Sequence, residues 1–253
     1  MKRPFCGIVL FFFSLCCIWA GTTSVSKELP LSDESKAMIR AELTTCFGLT
    51  NNSMDLIILR EEWNENTEYK ETAQYLEIKG HGKAIRYVSF LVQPESKKGY
   101  GRLVLGNSVW NFNPVKRTFT LSFDDTIELG SLFLGDESKQ EIIGYFQGTC
   151  NGFAAHMVRI HDKETSVVLE LWIDADTGLQ LMLDRYHGDH VLTSRLEFLS
   201  YVQLPSGTFF ASETKTWSYL QPSAIWRDRL IDIREEDVPD DYFTKAYVER
   251  VCR

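Results

Sequence analysis

Val167-Val168-Leu169-Glu170-Leu171-Trp172-Ile173-Asp174, then Ala175-Asp176-Thr177-Gly178, then Leu179-Gln180-Leu181-Met182-Leu183-Asp184-Arg185-Tyr186 is the stretch that speaks most clearly about architecture. In the first run Leu169, Leu171 and Ile173 alternate with Glu170 and Asp174. In the second, Leu179, Leu181 and Leu183 alternate with Gln180 and Asp184. A period of two over such lengths predicts half-buried strands, and the Asp/Thr/Gly run between them predicts a turn. The pair is a hairpin with one apolar face. Leu196 and Phe198, set against Arg195 and Glu197, carry that face onto a third strand.

The same rhythm extends in both directions. Downstream, strands are expected over 191–204, 209–219 and 225–233, separated by turn residues such as Pro205-Ser206-Gly207. Upstream, they are expected over 54–63, 73–79, 84–92, 100–105, 109–112 and 117–123, with a strand also expected around His156 and His161 and a turn over 93–99. Residues 126–152 are less regular, and Leu129-Gly130-Ser131-Leu132-Phe133-Leu134-Gly135 reads as a short helix or a loop. One helix is expected near the N-terminus. Ser32 caps it, Asp33 and Glu34 suit its positive end, and Ala37, Met38, Ala41 and Leu43 recur at helical spacing until about Cys46. Nine to eleven strands without a βαβ rhythm predict a mainly β fold, a curved antiparallel sheet or barrel, in a single domain over 21–253. So wide an apolar face with so little chain to cover it suggests a cavity. The competing reading is that the 16 Phe, 10 Tyr and 6 Trp fill the interior.

Residues 1–20 read as a secretory signal peptide: Lys2 and Arg3, an apolar stretch to Ala20, then an abrupt polar return at Gly21-Thr22-Thr23. A soluble periplasmic protein is expected, with lipid anchoring through Cys16 or Cys17 as the rival. After residue 20 no apolar run reaches the roughly 18–20 residues of a membrane-spanning helix. The 253 residues carry 27 Lys and Arg against 35 Asp and Glu, a formal charge of −8. A nucleic-acid binder relying on a basic surface is thereby disfavoured. Cys46, Cys150 and Cys252 are either buried thiols or hold one disulfide among them; spacing does not choose a pair.

Chemistry-bearing motifs are missing. There is no G-x-S-x-G, H-E-x-x-H, G-x-x-x-x-G-K-[ST] or G-x-G-x-x-G. His187-Gly188-Asp189-His190 sits at an expected turn. His156 and His161 are five apart on a strand, hence on opposite faces, and read as surface residues. Asp124-Asp125 and Glu235-Glu236-Asp237 read as solvated loops. No catalytic residue, metal or cofactor is expected, and the chain does not read as an enzyme. An outer-membrane barrel is disfavoured, because the chain closes on Cys252-Arg253 without a terminal aromatic strand.

Three stretches resemble one known family. They are Phe90–Gly99 with Leu103-Val104-Leu105-Gly106-Asn107-Ser108-Val109-Trp110-Asn111-Phe112-Asn113-Pro114, then Trp172–Leu179, then Val238–Arg250. In this order they resemble the outer-membrane lipoprotein-sorting proteins, the LolA/LolB-like family. The resemblance implies a half-open, unclosed β-barrel with a helical lid. It implies a monomeric periplasmic carrier that binds lipoprotein or lipid acyl chains between an inner-membrane ABC transporter and an outer-membrane receptor. An envelope sensor or interaction module on the same fold is the alternative. Cavity residues expected from the apolar stripe are Leu169, Leu171, Ile173, Leu179, Leu181, Leu183, Leu196 and Phe198. Phe90, Leu103, Leu105 and Trp110 join them from the resembling stretches, and Met38 from the helix, which is expected to pack on the stripe when no ligand is bound.

Overall fold

Strand pairing runs without interruption from one edge of the molecule to the other in a computed structural model that describes residues 23–50, 54–66, 72–81, 86–106, 108–122, 140–163, 165–188, 190–220 and 224–252. The strands, in chain order, are β1 (Thr23–Glu28), β2 (Leu56–Asn64), β3 (Ala73–Lys79), β4 (Arg86–Gln93), β5 (Gly101–Leu105), β6 (Ser108–Asn113), β7 (Thr118–Ser122), β8 (Gln140–Cys150), β9 (Phe153–Asp162), β10 (Val167–Asp174), β11 (Gln180–His187), β12 (Val191–Gln203), β13 (Phe209–Ser218) and β14 (Ile225–Glu235). They form one 14-stranded antiparallel sheet ordered β1-β8-β9-β10-β11-β12-β13-β14-β2-β3-β4-β5-β6-β7. The pairing of β14 with β2 joins two meanders into one surface. The sheet is not closed into a barrel. Bulges interrupt the register of β10/β11, β11/β12, β12/β13 and β14/β2, and each bends its strand. The expected signal peptide at 1–20 and the apolar run at 129–135 lie outside the described residues.

Two strands were not legible in the sequence pattern. β8 occupies part of the stretch that reads as irregular, because Gly144 and Gly148 break its alternation. Gly148 is required by a close approach: a Cβ there would stand 2.0 Å from the Ser24 carbonyl oxygen on β1. β1 itself is exposed along its whole length, so no apolar alternation marks it.

Helix α1 (Asp33–Thr50) has the expected start, with Ser35 N–H donating to Ser32 Oγ at 3.1 Å. It runs four residues beyond the expected end, through Gly48. Phe47 is buried and Leu49 reaches Gly178, so packing on both sides carries the helix past a poor helix former. We call the sheet face that carries α1 the inner face. Its contact uses Ile39, Leu43, Cys46 and Phe47, at spacings of four, three and one. Met38, expected to make this contact, is instead 55% exposed. It stands one residue, about 100° of rotation, from Ile39, and so lies off the buried stripe.

The C-terminal segment covers the opposite, outer face. A 3₁₀ turn (Asp240–Phe243) and helix α2 (Lys245–Val251) bring Val238, Phe243, Val248 and Cys252 onto Ile78, Val88, Phe90, Leu103 and Phe112. Gly101 admits this helix, since a Cβ there would meet Val248 Cγ1 at 2.9 Å and Cys252 Sγ at 3.0 Å. Asp55 ties the segment down. Its carboxylate accepts from Val238 N–H at 3.0 Å and from His81 N–H at 2.6 Å, and bonds the His81 ring at 2.6 Å. Burial alone would raise the pKa of Asp55, but these hydrogen bonds hold it below the usual carboxylate range.

Candidate functional site

The apolar half of the inner face spans β8 to β12. Ile142 and Tyr145, Val158 and Ile160, then Val167, Leu169, Leu171 and Ile173, then Leu183 pack with the buried face of α1, and Leu196 and Phe198 flank them half-buried. Register explains the assembly: Leu171 opposes both Val158 and Leu183, and Leu183 opposes Leu196. Antiparallel partners share a face, so one apolar band crosses five strands. Six residues of the expected stripe therefore stand together under α1: Leu169, Leu171, Ile173, Leu183, Leu196 and Phe198.

Leu181 does not join them. It is the extra residue of a β-bulge, for Trp172 opposes Met182 while Ile173 opposes Gln180. The bulge turns Leu181 to the outer face, where it packs with Trp172 and Met182. Leu179 is half-buried and lies before β11, at the end of the turn. Phe90, Leu103, Leu105 and Trp110 also fall on the outer face. Phe90 opposes Gly101, Leu103 opposes Val88 and Trp110, and Leu105 opposes Arg86, all alternating with the inner-facing Tyr87, Ser89 and Val104. The first two are buried beneath the C-terminal segment, and Trp110 stacks beside it, with Lys245 Nζ 3.0 Å from its ring centre. Sequence alternation finds the greasy face of each strand. It does not say that β4 and β10 bury opposite faces of one sheet.

A polar latch fixes α1 to this band. Glu42 on the helix accepts from the Tyr145 hydroxyl at 2.7 Å, and its other oxygen stands 2.7 Å from His156 Nδ1. Tyr145 Oη and His156 Nδ1 are 2.9 Å apart. Burial, then the Glu42 carboxylate, push the Tyr145 phenol upward. His156, a surface residue by sequence, is thus an inner-face residue. No local pattern announces this, because its partner is 114 positions away.

Elsewhere on the inner face, β14, β2, β3 and β4 carry a polar group between them. Arg60 Nε donates to Glu77 Oε1 at 2.8 Å, and the Tyr87 hydroxyl donates to the same oxygen at 2.5 Å. Arg60 Nη1 stands 3.9 Å from Asp228, which also accepts from Thr214. Glu62 opposes Asp228 in register and shares a hydrogen bond with it. Burial, then the neighbouring Asp228 charge, raise the Glu62 carboxyl to about 7. At one end this polar wall meets an apolar cluster of Leu56, Ile58 and Leu204, flanked by Val202, Phe210, Leu230 and Ile233.

Cys46, Cys150 and Cys252 are free and buried in three separate clusters, which decides against a disulfide among them. Burial pushes their thiols up, Cys46 and Cys150 to about 12 and Cys252 to about 11. Among the described residues no three of His, Cys, Asp and Glu converge as a metal site requires. Among the same residues no helix is long and apolar enough to cross a membrane.

No family model and no curated protein matches the sequence. Solved structures do match in fold. A putative outer membrane lipoprotein-sorting protein domain from Vibrio parahaemolyticus aligns with a TM-score of 0.69 and 14% identity over 83% of this chain and 98% of its own. A DUF1329 family protein from Desulfovibrio piger aligns with a TM-score of 0.69 and 15% identity over 86% and 100%. A LolA superfamily protein from Nitrosomonas europaea aligns with a TM-score of 0.61 and 13% identity over 82% and 98%. The fold is LolA-like: an unclosed antiparallel sheet with a helix laid on its inner face.

Proposed function

We propose that this chain is a periplasmic carrier that lodges the acyl chains of lipoproteins or lipids on its inner face, in the space that α1 fills when no ligand is bound. The observation that carries the reading is the α1 contact itself. One helix, through four buried side chains and one carboxylate latch, covers an apolar band that crosses five strands. Such a cover is displaceable. Burial of its three large apolar side chains is worth roughly 5–9 kcal/mol, at about 1.5–3 kcal/mol each. Each acyl methylene moved from water onto the same surface returns about 0.8 kcal/mol, so roughly ten methylenes balance the helix. A long acyl chain therefore binds with a modest surplus and can leave again, as a carrier requires. The leader-like residues 1–20 and the fold it shares with a lipoprotein-sorting domain support the periplasmic setting and the cargo class. Transfer from an inner-membrane ABC transporter to an outer-membrane receptor is the corresponding path.

The test is native mass spectrometry of the protein purified from its own envelope. Wild type is expected to carry acyl-bearing molecules. Phe198→Asp, on the inner face, is expected to lose most of them, and Leu105→Asp, on the exposed part of the outer face, to keep them. Lipid-free wild type, or equal loss in both variants, contradicts the reading.

A further inference from the structure

Charge is unevenly placed along the sheet. Residues 86–122, which form β4 to β7 and their turns, hold six cations and one carboxylate, a charge of +5, while the rest of the chain carries −13. Four of the six cations lie at one end of these strands. Lys97 and Lys98 stand in the turn between β4 and β5, and Lys116 and Arg117 in the turn between β6 and β7; all four are exposed. Register puts both turns at the same end, because Gly101 opposes Phe90 on β4 and Phe112 on β6. The turns also touch, for a Cβ on Gly99 would stand 3.6 Å from the Cβ of Pro114. Neighbouring carboxylates offset this charge little. Glu95 stands 3.3 Å from Lys98, an exposed pair that water screens. Glu249 on α2 is accompanied by Lys245 and Arg250 on the same helix, and Asp240 pairs with Arg86 at the far end of β4. An apolar side chain heads the second turn. Val115 is 82% exposed, directly before Lys116 and Arg117. The Asn113 side-chain oxygen accepts from Val115 N–H at 3.0 Å and from Lys116 N–H at 3.1 Å, which fixes the backbone there. Tyr100, also exposed, closes the first turn. A lone exposed valine needs no explanation. One set among four cations and a tyrosine has the composition of a surface that meets lipid head groups.

We propose that this tip docks the protein on a membrane surface rich in anionic lipid, with Val115 in the head-group layer and Lys97, Lys98, Lys116 and Arg117 against lipid phosphates. The acidic remainder of the chain is repelled by the same surface, so the tip also sets the orientation of approach. The assignment goes beyond the carrier reading and does not rest on it.

The full chain is floated with vesicles of phosphatidylcholine, alone or mixed with phosphatidylglycerol, at low and at high salt. Wild type is expected to bind the anionic vesicles roughly tenfold more tightly or better, and to lose that preference at high salt. Lys98→Glu combined with Lys116→Glu is expected to weaken binding at least about tenfold, and Val115→Ser about threefold. Lys27→Glu combined with Lys163→Glu makes the same change of charge on exposed residues elsewhere and is expected to cost less than about threefold. Phe198→Asp is expected to bind vesicles as wild type does. Equal binding of both vesicles, unchanged binding in either tip variant, or equal loss in the two charge-reversed pairs overturns the assignment and leaves the carrier reading standing. Loss in Phe198→Asp alone moves the membrane contact to the inner face and likewise overturns the tip. Wild type that binds soluble polyglutamate but no vesicle reassigns the tip to an acidic protein and overturns the lipid claim.

Discussion

Glu62 keeps its proton to about pH 7, because burial dries its carboxyl and its partner across the strands is another carboxylate. The unfolded chain releases that proton near the ordinary value of 4.5. Between those two values the folded form binds the proton and the unfolded form does not, so stability falls as pH rises through the window. Replacing Glu62 with Gln removes the liability. The variant is expected to match wild type in urea titration at pH 4.5 and to exceed it by on the order of 1–2 kcal/mol at pH 8. Equal midpoints at both pH values would contradict the assigned proton. Nothing in the local sequence marks Glu62. In the run Leu56–Asn64 it reads as a solvated strand residue, and its pairing with Asp228 depends on β14 reaching β2 from the far end of the chain. Glu42 went unmarked and His156 was read as a surface residue for the same reason, whereas Leu169, Leu171 and Ile173 were legible because alternation is a property of one strand alone.

The elements divide between those that advertise themselves and those that need partners. α1 announces its start through Ser32 and its acidic first turn, and its length is then set by Phe47 and Leu49 packing beyond Gly48. The β10–β11 hairpin was legible down to its turn, but its bulge was not, and with it went the facing of Leu181. Glu42 is the joint between helix and sheet. Removing its carboxylate in Glu42→Ala leaves the Tyr145 hydroxyl and the His156 ring nitrogen without that acceptor, a loss of about 1–2 kcal/mol. Hydrogen exchange in the segment 39–47 is expected to quicken roughly tenfold, with β3 and β4 unaffected. Unchanged protection in α1 would show that the apolar contact alone holds the helix.

The whole molecule is one sheet with a differently covered face at each half. α1 lies on the inner face of β8 to β12, and the C-terminal helix on the outer face of β3 to β6. The tie through Asp55 and the close seat at Gly101 fix the second cover. The first is held by one latch and one stripe, and the proposed carrier function requires it to move. Strand content and the antiparallel meander were readable from period and turns. The assignment of faces was not, because the sign of burial on β4 relative to β10 is set only when all intervening strands have paired.

Movement of α1 is therefore the decisive quantity. Spin labels on Cys introduced at Met38, which is exposed on α1, and at Val191, which is exposed on β12, report the distance between helix and sheet by pulsed electron resonance. The native thiols are buried with raised pKa values and compete poorly for label. The account predicts a single distance without lipid and a longer, broader one when an acyl ligand is bound. A distance unchanged at full ligand occupancy would contradict it.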